Sequence, residues 1–317
     1  MEDILDRNLR EMTEAVRRNE ITSVKLVQGF LDRIEKVNSS LNAVVSINTE
    51  IALKLAAKAD SDLKEGIVHG PLHGIPMTIK DSLDTKDMVT TWGTKGRETF
   101  RPGRDATSVA RLRDAGAILL GKTNTPEFTL SFQTDNLVYG KTNNPYNLEM
   151  TPGGSSGGAA ALIAANAIPF DIGTDTGGSI RLPAHFCGIS GLKPTTGRVP
   201  CTGNALPSSG LIAPLSQVGP LARYVDDLDF LMTIIQGPDL MDPHTVDATE
   251  RPSDDIDVTT LRIGFHTDNG IATPALPIQD AILNAISLLK AEGFKVEEAT
   301  PPGIEMASLI YSSLFGA

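Results

Sequence analysis

Apolar positions recur every three or four residues near the amino end. In ITSVKLVQGFLDRIEKVN, Val24, Val27, Leu31 and Ile34 share one face with Phe30 beside them, and Thr22 or Ser23 is placed to cap. The pattern predicts amphipathic helix over residues 1–38 and a second helix over 49–64. The period then changes. GIPMTIKD (74–81) is a short apolar run closed by polar residues, which predicts a strand. DATSVARLRDAGAILLGKTN predicts a helix over about 106–115, a stop at Gly116 and a buried strand over about 117–121.

SSGGAAALIAANA reads as a tight turn opening a small-residue helix, and IPFDIGTD as a buried strand. GGSIRLPAHFCG reads as a turn and a short helix interrupted near Pro183, and GLKPTTGRVP as strand and loop. A helix is expected over 225–237, stopped by Gly237, and a strand over 259–268. IQDAILNAISLLKAEGFKVEEA predicts a helix followed by a strand, and MASLIYSSLFGA a helix with neither cap nor polar tail. The recurring helix–strand alternation predicts an α/β layered fold, and that last helix suggests that the fold is incomplete at the C-terminus.

Composition narrows the function. The 317 residues are 40% apolar, enough for a core, and carry a net charge of −11 with both signs mixed along the chain. A nucleic-acid grip needs a clustered basic face, so none is expected. No apolar run approaches the roughly 18 residues of a membrane span. The start, MEDILDRNLREM, is charged from its second residue, so no secretory signal is expected there. Two cysteines, Cys187 and Cys201, suggest no disulfide framework, and a reducing cytoplasm is expected.

The candidate chemistry sits in two Gly-Ser turns on either side of one apolar segment. A serine hydroxyl attacks a carbonyl only with a base in reach and donors for the developing oxyanion. In DTGGSI, the N–H groups of Thr176, Gly177, Gly178 and Ser179 could converge at the start of a short helix. An isolated Gly-Gly-Ser is usually a plain turn, but this one follows a buried strand. GGSSGG (153–158) has three readings. A phosphate loop lacks its Lys-Ser/Thr ending. A nucleophile elbow needs a strand before it, and NNPYNLEMTP carries two prolines. The third reading is a serine that relays protons for a nucleophile elsewhere.

A relay needs a terminal base. His69, His73, His185, His244 and His266 sit in no pattern with an aspartate and read as loop or packing residues. The other candidate is a lysine kept neutral by burial, and Lys80 ends the apolar strand IPMTI. Beside Asp81 it could equally be a salt-bridged surface residue.

Taken together, GPLHGIPMTIKD, ATSVARLRDAGAILLGKTNTPEF, YGKTNNPYN, TPGGSSGGAAA, GTDTGGSIRLPAHFCGISGLKPTTGRVP and VGPLARYVDDL resemble the amidase signature family of serine hydrolases over about residues 20–240. The resemblance implies a mixed β-sheet covered by helices on both faces. It implies one domain over 1–317, with a helical segment at 1–65, a signature core at 66–240 and a peripheral α/β segment at 241–317. It implies a Ser–cis-Ser–Lys triad. Ser179 would be the acyl nucleophile, Ser155 the relay serine after a cis peptide, and Lys80 the neutral base. Thr176, Gly177, Gly178 and Ser179 would supply the oxyanion N–H groups, with Ser156, Asp175 and Arg181 in support. Thr129 would line the acyl pocket. No metal or cofactor is implied.

The expected activity is hydrolysis of a linear carboxamide through an acyl-enzyme, with a small-molecule amide as substrate, no nucleic acid or membrane partner, and a homodimer allowed for. The alternatives are the A-type subunit of a glutamyl-tRNA(Gln) or aspartyl-tRNA(Asn) amidotransferase, and a catalytically incomplete fragment, since members of the family are usually longer. After GLKPT such subunits typically continue YGRVSRYG, whereas this chain has TGRVPCTG, which favours the small-amide reading. Ala159 stands where fatty-acid amide hydrolases often carry an acidic residue, which weakens a lipid-amide reading.

Overall fold

The computed structural model describes residues 2–206, 210, 212–247, 256–257 and 260–315. They fall in two compact units, Met1–Asp247 and Ala248–Ala317. Residues 1, 259, 316 and 317, which belong to predicted elements, lie outside the described ones.

The first unit is built on six strands: β1 (Val44–Ile47), β2 (Pro76–Lys80), β3 (Ile118–Thr123), β4 (Phe170–Asp175), β5 (Ser190–Gly191) and β6 (Gln217–Ala222). Their order is β1-β3-β2-β4-β6-β5. The β3–β2 and β2–β4 pairs are parallel, and the β1–β3, β4–β6 and β5–β6 pairs are antiparallel, so the sheet is mixed as expected. Every residue of β2, β3, β4 and β6 is buried, which requires cover on both faces.

The predicted amino-terminal helix is three helices, α1 (Glu2–Leu5), α2 (Leu9–Arg17) and α3 (Ser23–Leu41). Polar caps impose the breaks. Asn8 and Glu11 form a reciprocal capping box, and the Thr22 side chain accepts from the Lys25 N–H. The apolar stripe of α3 is buried as predicted, including Leu26, Val27, Phe30, Leu31 and Ile34. Helices α4 (Thr49–Lys64) and α5 (Thr107–Asp114) follow.

Helix α6 (Gly157–Ala164) is buried over nearly its whole length and packs on β2, β4 and β6. Its small residues let it approach closely. A β-carbon on Gly158 would lie 2.7 Å from Ala43 O and closer still to Asn124 N, so only glycine fits there. Helix α7 (Arg181–Cys187) is not interrupted at Pro183, because proline in the first turn removes an N–H that has no partner within the helix. Helix α8 (Val225–Ile235) closes this unit.

The second unit holds a parallel pair, β7 (Arg262–Phe265) and β8 (Lys295–Glu298), joined through α9 (Leu276–Ala291), and then α10 (Ala307–Phe315).

Candidate active site

Lys80 is the last residue of β2, and Asp175 is the last residue of the neighbouring parallel strand β4. The carboxyl ends of adjacent parallel strands are where an α/β sheet presents its loops. The loop after β4 carries Ser179 into α7, and the loop before α6 carries Ser155. The Gly154–Ser155 peptide is cis.

Lys80 is completely buried, not a surface residue. Its Nζ lies 2.6 Å from Ser155 Oγ, 2.8 Å from Thr174 Oγ1 and 3.4 Å from Thr174 O. Burial lowers the amine to about 7, opposed in part by the charges of Asp175 and Asp171. An amine with that affinity is largely neutral in mildly alkaline water. Two of its hydrogens can go to Thr174, which leaves the lone pair for the Ser155 hydroxyl. Asp81, its chain neighbour, turns elsewhere. It accepts from Thr91 N and Oγ1 and lies 3.9 Å from Lys122 Nζ.

Ser155 is inaccessible to solvent, while Ser179 keeps 7% of its surface exposed. The Ser156 N–H donates to Ser179 O at 3.0 Å and ties the two loops together. The two hydroxyls themselves make no hydrogen bond with each other. Ser156 Oγ donates to Thr174 O at 3.4 Å.

Asp175 shapes the turn. It accepts from the N–H groups of Gly178, Ile180 and Arg181, and the Arg181 guanidinium grips it with Nε at 3.0 Å and Nη2 at 2.9 Å. Burial would raise this carboxyl, but those hydrogen bonds, Arg181's foremost, hold it below its usual range. The Gly178 N–H, expected to face an oxyanion, is therefore spent on Asp175 Oδ1 at 2.8 Å. The N–H groups of Thr176, Gly177 and Ser179 have no such partner among the described residues. Gly178 has φ of +125°, which a side chain would strain.

Thr129 is buried in a short 3-10 turn with φ of +63° and makes no hydrogen bond to either serine loop. The segment beside Gly154 is Ser131–Gln133, and the Phe132 ring lies about 4.0 Å from where a β-carbon on Gly178 would be. No histidine reaches the serines. His69 Nε2 lies 2.5 Å from Asp62 Oδ2, an aspartate pairing the sequence did not suggest, and His73 bonds Ala59 O. Both cysteines are buried and unpaired, and burial pushes each thiol up to about 12.

A family model described as Amidase matches residues 25–315. The chain belongs to the amidase family. It is 41% identical over 309 residues to the A subunit of glutamyl-tRNA(Gln) amidotransferase from Roseiflexus sp. (strain RS-1), covering 96% of this chain and 62% of that protein. A protein of the same name from Carboxydothermus hydrogenoformans is 39% identical over 95% of this chain and 62% of its own length. A solved fatty acid amide hydrolase superposes with TM-score 0.93 at 28% identity, covering 99% of this chain and 56% of that one. Peptide amidase from Stenotrophomonas maltophilia gives TM-score 0.85 at 33% identity, over 98% of this chain and 65% of that one. The chain thus spans less than two thirds of the length of these relatives. The names of the curated relatives back the amidotransferase alternative better than the small-amide reading favoured by TGRVPCTG.

Three polar residues of this amidase-family core were not singled out from sequence. Thr174 holds the Lys80 amine. Asp171 accepts from Thr78 and Thr123, and burial raises it to about 6. Lys122 is as buried as Lys80, is lowered to about 8 by burial, and bonds Leu83 O and Thr85 Oγ1. An aspartate inside the apolar run IPFDIGTD was the legible sign of this network.

Among the described residues, no helix is long and apolar enough to cross a membrane.

Proposed function

We propose that this protein cleaves an amide C–N bond through an acyl-enzyme on Ser179. The observation that carries the reading is the buried contact of 2.6 Å between Lys80 Nζ and Ser155 Oγ, with an amine lowered to about 7. In this reading Ser179 Oγ turns onto Ser155 Oγ. As Ser179 attacks the carbonyl carbon, its proton passes to Ser155, and the Ser155 proton passes to the Lys80 lone pair. The N–H groups of Thr176, Gly177 and Ser179 receive the oxyanion, while Gly178 and Arg181 keep Asp175 bracing the turn. The proton returns through Ser155 to the leaving nitrogen, the C–N bond breaks, and the ester on Ser179 remains. Water then attacks the ester and releases the acid. Thr129 is assigned to the acyl side of the pocket.

The acyl donor we assign is glutamine, with the released ammonia passed on within an amidotransferase in which this chain is the A-type subunit. The support is the shared name of curated relatives at 36–41% identity. A net charge of −11 gives this chain no grip of its own on a polyanion, so in this reading RNA is held by partner subunits. The second reading, a small-amide hydrolase acting alone, draws on TGRVPCTG and on the superposition with solved amidases. Ammonia release decides between them. Glutamine should release ammonia only in the presence of partner subunits; release from benzamide or short aliphatic amides by this chain alone favours the second reading.

A further inference from the structure

Strand β1 forms one edge of the six-stranded sheet and, among the described residues, pairs only with β3. Half the backbone groups of an edge strand face away from the sheet and need a partner. The start of this edge is covered from within. The Asn38 side chain, from α3, donates to Val44 O at 2.9 Å and accepts from the N–H groups of Ala43 and Val44 at 2.8 Å. That is the bonding a neighbouring strand would supply, and it stops at Val44. The ladder to β3 is also broken at Val45, where the register shifts.

From Val45 to Ile47 the strand instead faces a cavity of about 540 Å³ that α3 closes on the other side. Leu31, Ile34, Val45 and Ile47 give it apolar walls, and Ile47 is 45% exposed. Asp32 and Glu35 stand over it, and among the described residues no lysine, arginine or histidine lines it. Asp32 accepts one hydrogen bond, from Gln28, and neither carboxylate has an ion pair among the described residues. An uncovered strand edge beside an apolar floor fits an extended peptide, and two unpaired carboxylates select a cationic one. A second copy of this chain fits poorly, because its own edge would bring the same two carboxylates.

We propose that the groove between α3 and the outer edge of β1 binds a lysine- or arginine-bearing extended segment of another protein, which adds as a strand beside Val45–Ile47 and sets its cations against Asp32 and Glu35. The proposal is independent of the chemistry assigned to Ser179.

The test is fluorescence anisotropy of a short fluorescein-labelled peptide of alternating lysine and valine, titrated with the full chain at low salt. Saturable binding is expected, with none for the glutamate–valine counterpart. N-methylation of alternate peptide amides removes strand pairing and leaves the charge, so it should weaken binding about tenfold or more. The pair Asp32→Asn and Glu35→Gln should weaken it about three- to tenfold, as two exposed ion pairs do, while Glu292→Gln with Glu305→Gln changes nothing. Equal binding of the methylated peptide overturns strand addition. Equal loss in both variant pairs reduces the effect to net charge and overturns the site. Absence of saturable binding, or a dimer that forms through this edge in sedimentation, overturns the proposal outright.

Discussion

The rate at which a fluorophosphonate labels Ser179 should follow the neutral fraction of Lys80. Burial brings that amine from 10.5 to about 7. Labelling should then run at about a tenth of its plateau at pH 6, near half at pH 7 and within about a tenth of the plateau at pH 8. An ordinary lysine would still be gaining rate at pH 9. The same shift acts on stability. The folded-state pKa lies below the unfolded one, so between about 7 and 10.5 the unfolded chain binds more protons, and stability rises with pH by up to about 1.4 kcal/mol per unit. Below pH 7 the full cost of the buried amine is present, roughly 5 kcal/mol as an order of magnitude. Lys122, lowered to about 8, acts in the same direction, so the difference between wild type and Lys80→Met isolates Lys80. Urea melts at pH 7, 8 and 9 should show that slope in the wild type and a shallower one in the variant. A labelling profile flat from pH 5.5 to 9, or equal slopes for both proteins, refutes a neutral Lys80 as the base.

Ser179→Ala should abolish labelling while Ser155→Ala slows it at least about a hundredfold, and mass spectrometry that finds the label elsewhere in wild type removes Ser179 as nucleophile. Asp171→Asn removes a charge that holds the Lys80 pKa up, so the labelling midpoint should move to lower pH; an upward move contradicts the charge assignment. Arg181→Met should slow labelling about three- to tenfold and lower stability in urea melts, since the change removes two hydrogen bonds to the fully buried Asp175 carboxylate; unchanged labelling refutes its part in bracing the turn. Gly158→Ala should cost about 1–3 kcal/mol or more in urea melts, because its methyl would meet backbone on two sides; a wild-type midpoint refutes the close packing of α6.

What the chain reveals before folding depends on whether a residue's partners are near it in sequence. The apolar stripe of α3, the buried runs of β2, β3 and β4 and the glycines around the two serines are local patterns, and each points to the element found. Strand β6 escapes the pattern because Pro220 sits at its centre, where it stands opposite Ile172 and its carbonyl accepts from Leu192. Strand β1 is four residues long and broken in register, too short to show a period. The site divides in the same way. The glycines mark the two loops, the roles given to Ser155, Ser179 and Lys80 are what the family resemblance implies, and the fold sets Lys80 Nζ 2.6 Å from Ser155 Oγ. Gly178's engagement by Asp175 was not readable, because it depends on the carboxylate reaching forward over three residues while the Arg181 guanidinium holds both of its oxygens. Asp171 stands out inside its apolar run, but the partners of Lys122 and Asp171 were hidden, because Thr85 and Thr78 come from separate segments that only the fold brings to them. Burial lowers the affinity of Lys80 for its proton, and the charges of Asp175 and Asp171 oppose that, so Asp171, without touching the serines, should move the pH profile.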